Sequence, residues 1–150
     1  MKYTIPLLTI FTMSLFSCTN TSQKKTPGNT GIATKTAYCY SYVNNKDSVT
    51  MNIDINDNTV TGELEYRLYE KDSNTGTIQG IIKGDTLFAE YSFISEGISS
   101  VREVAFLKKG NNWVEGFGDV EENNGKMIFK DISALQFNSN IVLAEVPCKE

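Results

Sequence analysis

Val60-Thr61-Gly62-Glu63-Leu64-Glu65-Tyr66-Arg67-Leu68 decides how this chain folds. Val60, Gly62, Leu64, Tyr66 and Leu68 take every second position, and Thr61, Glu63, Glu65 and Arg67 between them are polar. Successive side chains of a strand point to opposite faces, so a period of two describes a strand with one face in a core and one in water. Three residues on from Val60 and Leu64, where a helix would continue its apolar stripe, stand Glu63 and Arg67. The same alternation runs outward in both directions. Upstream it appears in Val49, Met51, Ile53 and Ile55, and before them in Tyr38, Tyr40 and Tyr42. Downstream it appears in Leu87, Ala89, Tyr91 and Phe93.

Turn-forming residues punctuate these runs at Asn44-Asn45-Lys46-Asp47, Asn56-Asp57-Asn58, Asp72-Ser73-Asn74, Gly84-Asp85, Gly110-Asn111-Asn112 and Asn123-Asn124-Gly125. Asn, Asp and Gly tolerate the positive φ that hairpin turns demand. No segment carries a helical stripe; residues 133–138 read as a short turn or bend. Val60-Thr61-Gly62, Ile78-Gln79-Gly80 and Val114-Glu115-Gly116 repeat an apolar-polar-Gly echo. Glycine within a strand marks a bend or a close backbone approach, so the sheet should curl strongly, which removes exposed edges. The expectation is an all-β domain over residues 37–150. It is an antiparallel up-and-down meander of eight or nine strands closing into a lipocalin-like barrel, with a β-sandwich as the alternative.

The N-terminus reads differently. Lys2 precedes an apolar stretch over residues 5–16, about twelve residues long. That is short of the roughly 20 needed to span a bilayer and fits the apolar region of a signal peptide. Leu15-Phe16-Ser17-Cys18 resembles a lipobox, with Leu three places before the cysteine and a small residue just before it; Phe16 departs from the usual small residue. The resemblance implies that residues 1–17 are a cleaved lipoprotein signal peptide and that Cys18 carries a diacylglycerol. The alternative is an ordinary secretory signal with an incidental Cys18. Residues 18–36 would then be a lipidated N-terminus and flexible tether, rich in Thr, Ser, Asn, Lys and Gly. Thr19 follows Cys18 in place of the Asp that retains some lipoproteins in the inner membrane, and no acidic cluster follows. The expected partner is therefore a bacterial membrane, held through acyl chains, and the expected location is the cell envelope, on the outer membrane facing the periplasm.

Cys39 and Cys148 remain, in the first strand and at the end of the last. In an exported domain an even pair reads as one disulfide. First and last strands are neighbours in a closed barrel, so the bond would pin the closure. Free thiols or a metal site are the alternatives, and two cysteines without histidine make a poor metal site.

Composition narrows the chemistry. With no histidine, the chain lacks the base of Ser-His-Asp and Cys-His catalysis and the commonest ligand of zinc and haem. Fourteen basic against eighteen acidic residues leave a net charge of −4 and no basic stripe, which argues against nucleic acid. Asp72-Ser73-Asn74-Thr75-Gly76 has the look of a calcium loop, but Lys83 stands where an EF-hand needs its bidentate Glu, so a polar turn is the better reading. The carboxylate pair Glu121-Glu122 sits in turn-like sequence. No nucleophile has a recognisable base and no phosphate-cradling loop is present, so neither enzyme activity nor a cofactor or metal is expected.

Ser95-Glu96-Gly97-Ile98-Ser99-Ser100-Val101-Arg102-Glu103-Val104 is the most unusual stretch, joining two strong strands. If Val104 and Phe106 face inward, so does Arg102; in the other register Glu103 does. Either way one charge aims at the core or the barrel mouth, and it needs a partner because an unpaired buried ion is costly. Glu90, Glu96 and Glu115 are candidates. Glu96, Arg102 and Glu103 thus read as a recognition loop with a ligand-anchoring arginine, or as a structural ion pair. Tyr91 and Phe93 either fill the core or line a cavity for one small ligand.

The layout of lipobox, polar tether and β domain bracketed by Cys39 and Cys148 resembles small exported lipoproteins common in Bacteroidetes, a resemblance that implies no activity. Tyr38-Cys39 and Cys148 are also similar in outline to the membrane-bound lysozyme inhibitors, small β-barrel lipoproteins. Ser99-Ser100-Val101-Arg102 is only a loose analogue of their inhibitory loop. The expected function is a non-catalytic binding or scaffolding barrel. Its ligand would be a small apolar or amphipathic molecule in the cavity, or an envelope protein, such as a lysozyme, at the 96–103 segment.

Overall fold

The computed structural model describes residues 36–148. The expected signal peptide, the lipidation site Cys18 and the tether up to residue 35 lie outside the described residues.

Among the described residues ten strands follow one another: β1 (Thr36–Asn44), β2 (Asp47–Asn56), β3 (Thr59–Arg67), β4 (Asn74–Lys83), β5 (Thr86–Ser95), β6 (Ile98–Lys109), β7 (Asn112–Gly116), β8 (Val120–Asn123), β9 (Lys126–Phe129) and β10 (Val142–Val146). Eight of them, β1 to β7 and β10, pair antiparallel in a ring and form a closed barrel. The remaining hairpin, β8–β9, stands outside the ring and touches it through a parallel pairing of β9 with β6 at Val101 and Arg102. The only helical element among the described residues is one 3-10 turn, Ile132–Ala134, capped by the Asp131 carboxylate accepting from the Ser133 N–H. It falls where the sequence reads as a turn.

The turn chemistry is local. Two-residue turns close β1–β2, β2–β3, β4–β5, β5–β6, β6–β7 and β8–β9. Glu96-Gly97 and Asn124-Gly125 each have positive φ at both residues, which matches the right-handed twist of the strands they join. The segment after Ser95 is not a recognition loop, because Ile98 to Leu107 pair residue for residue with β5 and only Glu96-Gly97 turn. The Glu121-Glu122 pair also lies in a strand, the exposed β8.

The curl comes from glycines under a neighbouring backbone. A Cβ on Gly62 would sit 2.8 Å from the Ile53 Cα, and one on Gly76 would strike the Ser92 carbonyl and the Phe93 Cα. The sheet folds over itself at these points because no side chain stands there.

The barrel has two unlike ends. At one, Thr36 begins β1, Val146 ends β10, and Cys39 and Cys148 form the expected disulfide, with Cα atoms 5.2 Å apart. At the other, the β1–β2, β3–β4 and β5–β6 connections gather with the last residues of β7 and the first of β10. Most of the barrel interior is filled. Tyr40, Met51, Ile53, Leu64, Ile78, Leu87, Phe106, Trp113 and Leu143 are all buried in one core, with Tyr40 meeting the Trp113 ring edge-on at 6.3 Å. Among the described residues the pairings run unbroken around the ring, and the disulfide ties β1 to the residues after β10.

Candidate ligand-binding site

The far end of the barrel is not filled. Strand parity turns Arg102, Val104 and Phe106 of β6 inward together, and Trp113 and Glu115 of β7 likewise. Arg102 and Glu115 thereby become the charged floor of the unfilled end. The guanidinium carbon of Arg102 lies 5.2 Å from the Tyr66 ring centre, 5.4 Å from Tyr91 and 5.3 Å from Phe93. Three aromatic faces hold the cation by their quadrupoles. Tyr91 and Phe93 stack at 4.8 Å to make one wall of that cage. The Nε–H of Arg102 is buried and meets no acceptor.

Glu115 is the one buried charged residue among the described residues, and its Oε1 accepts a 2.7 Å hydrogen bond from the Tyr66 hydroxyl. The Tyr91 hydroxyl donates to the Leu64 carbonyl at 2.9 Å. Burial raises the Glu115 carboxyl above its ordinary value, and the Tyr66 hydrogen bond and the Arg102 charge offset only part of that. Burial, reinforced by the Glu115 charge, pushes Tyr66 well up, and burial takes Tyr91 to about 12.

Above this floor opens a cavity of about 530 Å³. Leu68, Phe117, Met127, Phe129 and Ile141 give it apolar walls, and Lys71, Asp72 and Asn74 stand at its rim. It exists because β7 leaves the wall early. Gly116 lies beneath the Phe137 ring, where a Cβ would not fit, and Phe117 and Gln136 exchange backbone hydrogen bonds of 3.0 and 2.9 Å outside the barrel. The vacated edge of β6 is covered only by β9. The Glu103 carboxylate, accepting from the Phe129 N–H at 2.8 Å, and an ion pair between Lys126 and Glu90 hold β9 in place.

The structure brings together three of the residues singled out in the sequence, Arg102, Tyr91 and Phe93. It puts the arginine on the cavity floor and the two rings around it, so Tyr91 and Phe93 support the floor and do not line the cavity. Glu96 is exposed at the tip of the β5–β6 turn and stays outside the site, whereas Glu103, which holds β9 through the Phe129 N–H, also lines the cavity. Leu68, Met127 and Phe129 were not legible as site residues, while Tyr66 and Phe117 stood out only as aromatics that fill a core or border a ligand. The parity of β3 places Tyr66 inward, but nothing in the sequence shows that β7 departs after Gly116. Among the described residues no group of three or more His, Cys, Asp or Glu is placed to hold a metal, and no helix is long and apolar enough to cross a membrane.

A raised carboxyl pKa has a consequence for stability. Below the ordinary glutamate value of 4.5, Glu115 is protonated whether folded or unfolded. Between that value and its raised folded value the native state binds more protons than the unfolded state, so stability falls as pH rises through this window and stays lower above it. Glu115→Gln keeps an acceptor for Tyr66 and removes the ionisation. The urea midpoint of the variant should match the wild type near pH 4 and exceed it at pH 8. An equal difference at both values would show that Glu115 ionises as easily in the barrel as in water.

Compared with family models, curated proteins and solved structures, the chain matches none of them.

Proposed function

We propose that this chain is a lipid-anchored bacterial envelope protein whose barrel holds one small amphipathic ligand at its mouth, without catalysing a reaction. The anchoring half rests on the lipobox-like Leu15-Phe16-Ser17-Cys18 and the polar residues after it. The binding half rests on one observation: a cavity of about 530 Å³ with apolar walls has an unsatisfied guanidinium N–H in its floor. Small-molecule sites have about 300–1,000 Å³ and combine apolar walls with a few convergent polar groups. Glu115 and Tyr66 bond to each other, an arrangement suited to holding a shape.

Native mass spectrometry of residues 19–150 purified from a bacterial periplasm tests the reading. The expected spectrum contains a one-to-one complex with a small molecule that disappears on unfolding. A bare protein would move the weight to a second reading, a protein-binding module. That reading has its own support in the exposed Val43, Ile94 and Ile98 near the mouth, 72%, 59% and 68% accessible. The loose analogue of an inhibitory loop does not supply such support, because Ser99 to Arg102 are paired within the wall.

A further inference from the structure

We infer that the polar end of the ligand is an oxyanion, a carboxylate or phosphate on a single apolar chain, seated on the Arg102 guanidinium. The inference rests on the ligand-holding reading and names the chemistry of the same site.

The geometry around Arg102 carries it. A guanidinium has five N–H donors in a rigid fork and no acceptor, and it keeps its charge at any pH a folded protein meets. Three rings crowd the Arg102 group. Its Nε–H has no partner, and among the described residues no carboxylate forms an ion pair with it. Glu115, the buried acid in the same floor, is engaged by Tyr66. The floor therefore presents a cation with spare donors to a cavity with apolar walls at Leu68, Phe117, Met127 and Phe129, whose acids Glu103 and Glu115 are taken up by the Phe129 N–H and the Tyr66 hydroxyl. A buried donor without an acceptor is costly, and a ligand that supplies the acceptor recovers that cost. A neutral hydroxyl would satisfy one donor and leave the charge, whereas an oxyanion meets the charge and can take two donors at once. An amphipathic cation would face like charge.

Calorimetric titration of residues 19–150 with decanoate, decyl phosphate and decanol at neutral pH separates the possibilities, because the three probes share one tail. At least one of the two anions should bind one-to-one at least tenfold more tightly than decanol, and whichever anion binds more tightly identifies the headgroup source. Arg102→Met should remove this preference while decanol affinity stays within about threefold. Lys83→Met, at the β4–β5 turn and outside the cavity, should leave the preference intact. Equal affinity for decanol and both anions in the wild type would overturn the oxyanion assignment and leave the ligand-holding reading standing. Binding by none of the three would count against the ligand-holding reading itself. The wild-type comparison decides the matter even if Arg102→Met does not fold.

Discussion

Replacing Cys39 and Cys148 together by serine is expected to lower folding stability by about 4–5 kcal/mol, because the bond closes a long loop. The two cysteines are 109 positions apart, and the chain-entropy model gives about 4.7 kcal/mol for a loop near 100 residues. The effect should be large for a second reason. β10 is the last strand to join the ring and its hold is short, with three residue pairs to β1 and two to β7. Without the bond, the ring can open on either side of β10. Urea unfolding followed by Trp113 fluorescence measures the loss, and a reducing agent should weaken the wild type but leave the serine variant unchanged. A double variant within about 1 kcal/mol of the wild type would show that β10 is held by its packing alone.

Trp113→Ala should cost about 3–5 kcal/mol, the usual range for deleting a buried aromatic. Trp113 is fully buried, pairs across to Leu143 of β10 and to Lys108 of β6, and packs edge-on against Tyr40 of β1. It therefore joins both sides of the closure. Its indole N–H is also buried without an acceptor, so Trp113→Phe, which keeps most of the ring and removes that donor, should cost much less. Circular dichroism follows both variants, since they lack the fluorophore. Equal losses for Ala and Phe would mean that ring volume is not what Trp113 contributes. The Trp113 and disulfide changes act on adjoining strands, so their combination should not be additive.

The fold was legible because its determinants are local. Alternation in Val60 to Leu68 reports a half-buried strand, Asn124-Gly125 reports a turn, and both survive in the structure unchanged. Closure was legible through two cysteines at the extremes of the sheet. The sequence left two registers open, with Arg102 or Glu103 inward, and three acids as partners; the structure takes the register that buries Val104 and Phe106 beside Arg102, and of the three acids it buries Glu115. The cavity itself was not legible. It depends on β7 ending at Gly116, and that ending is set by the Phe137 ring and by Gln136, about twenty residues further on. Tyr91 takes the core-filling role, one of the two the sequence offered it, and is fully buried. Its hydroxyl is spent on the Leu64 carbonyl across the barrel, a partner that no strand pattern reveals.

The position of the disulfide also governs how the barrel bears tension. β1 begins and β10 ends at the same end of the ring, as an antiparallel pair. Pulling two such strands apart from their shared end breaks their hydrogen bonds one after another, which is the weakest way to load a sheet, because the bonds lie perpendicular to the strands. Cys39 stands only three residues inside β1, and its bond to Cys148 joins the two strands just where a force would act. Tension between the chain upstream of Thr36 and the chain downstream of Cys148 peels Thr36, Ala37 and Tyr38 from β2 and then passes through sulfur. The barrel behind the bond stays unloaded, and its cavity keeps its shape while the chain is pulled.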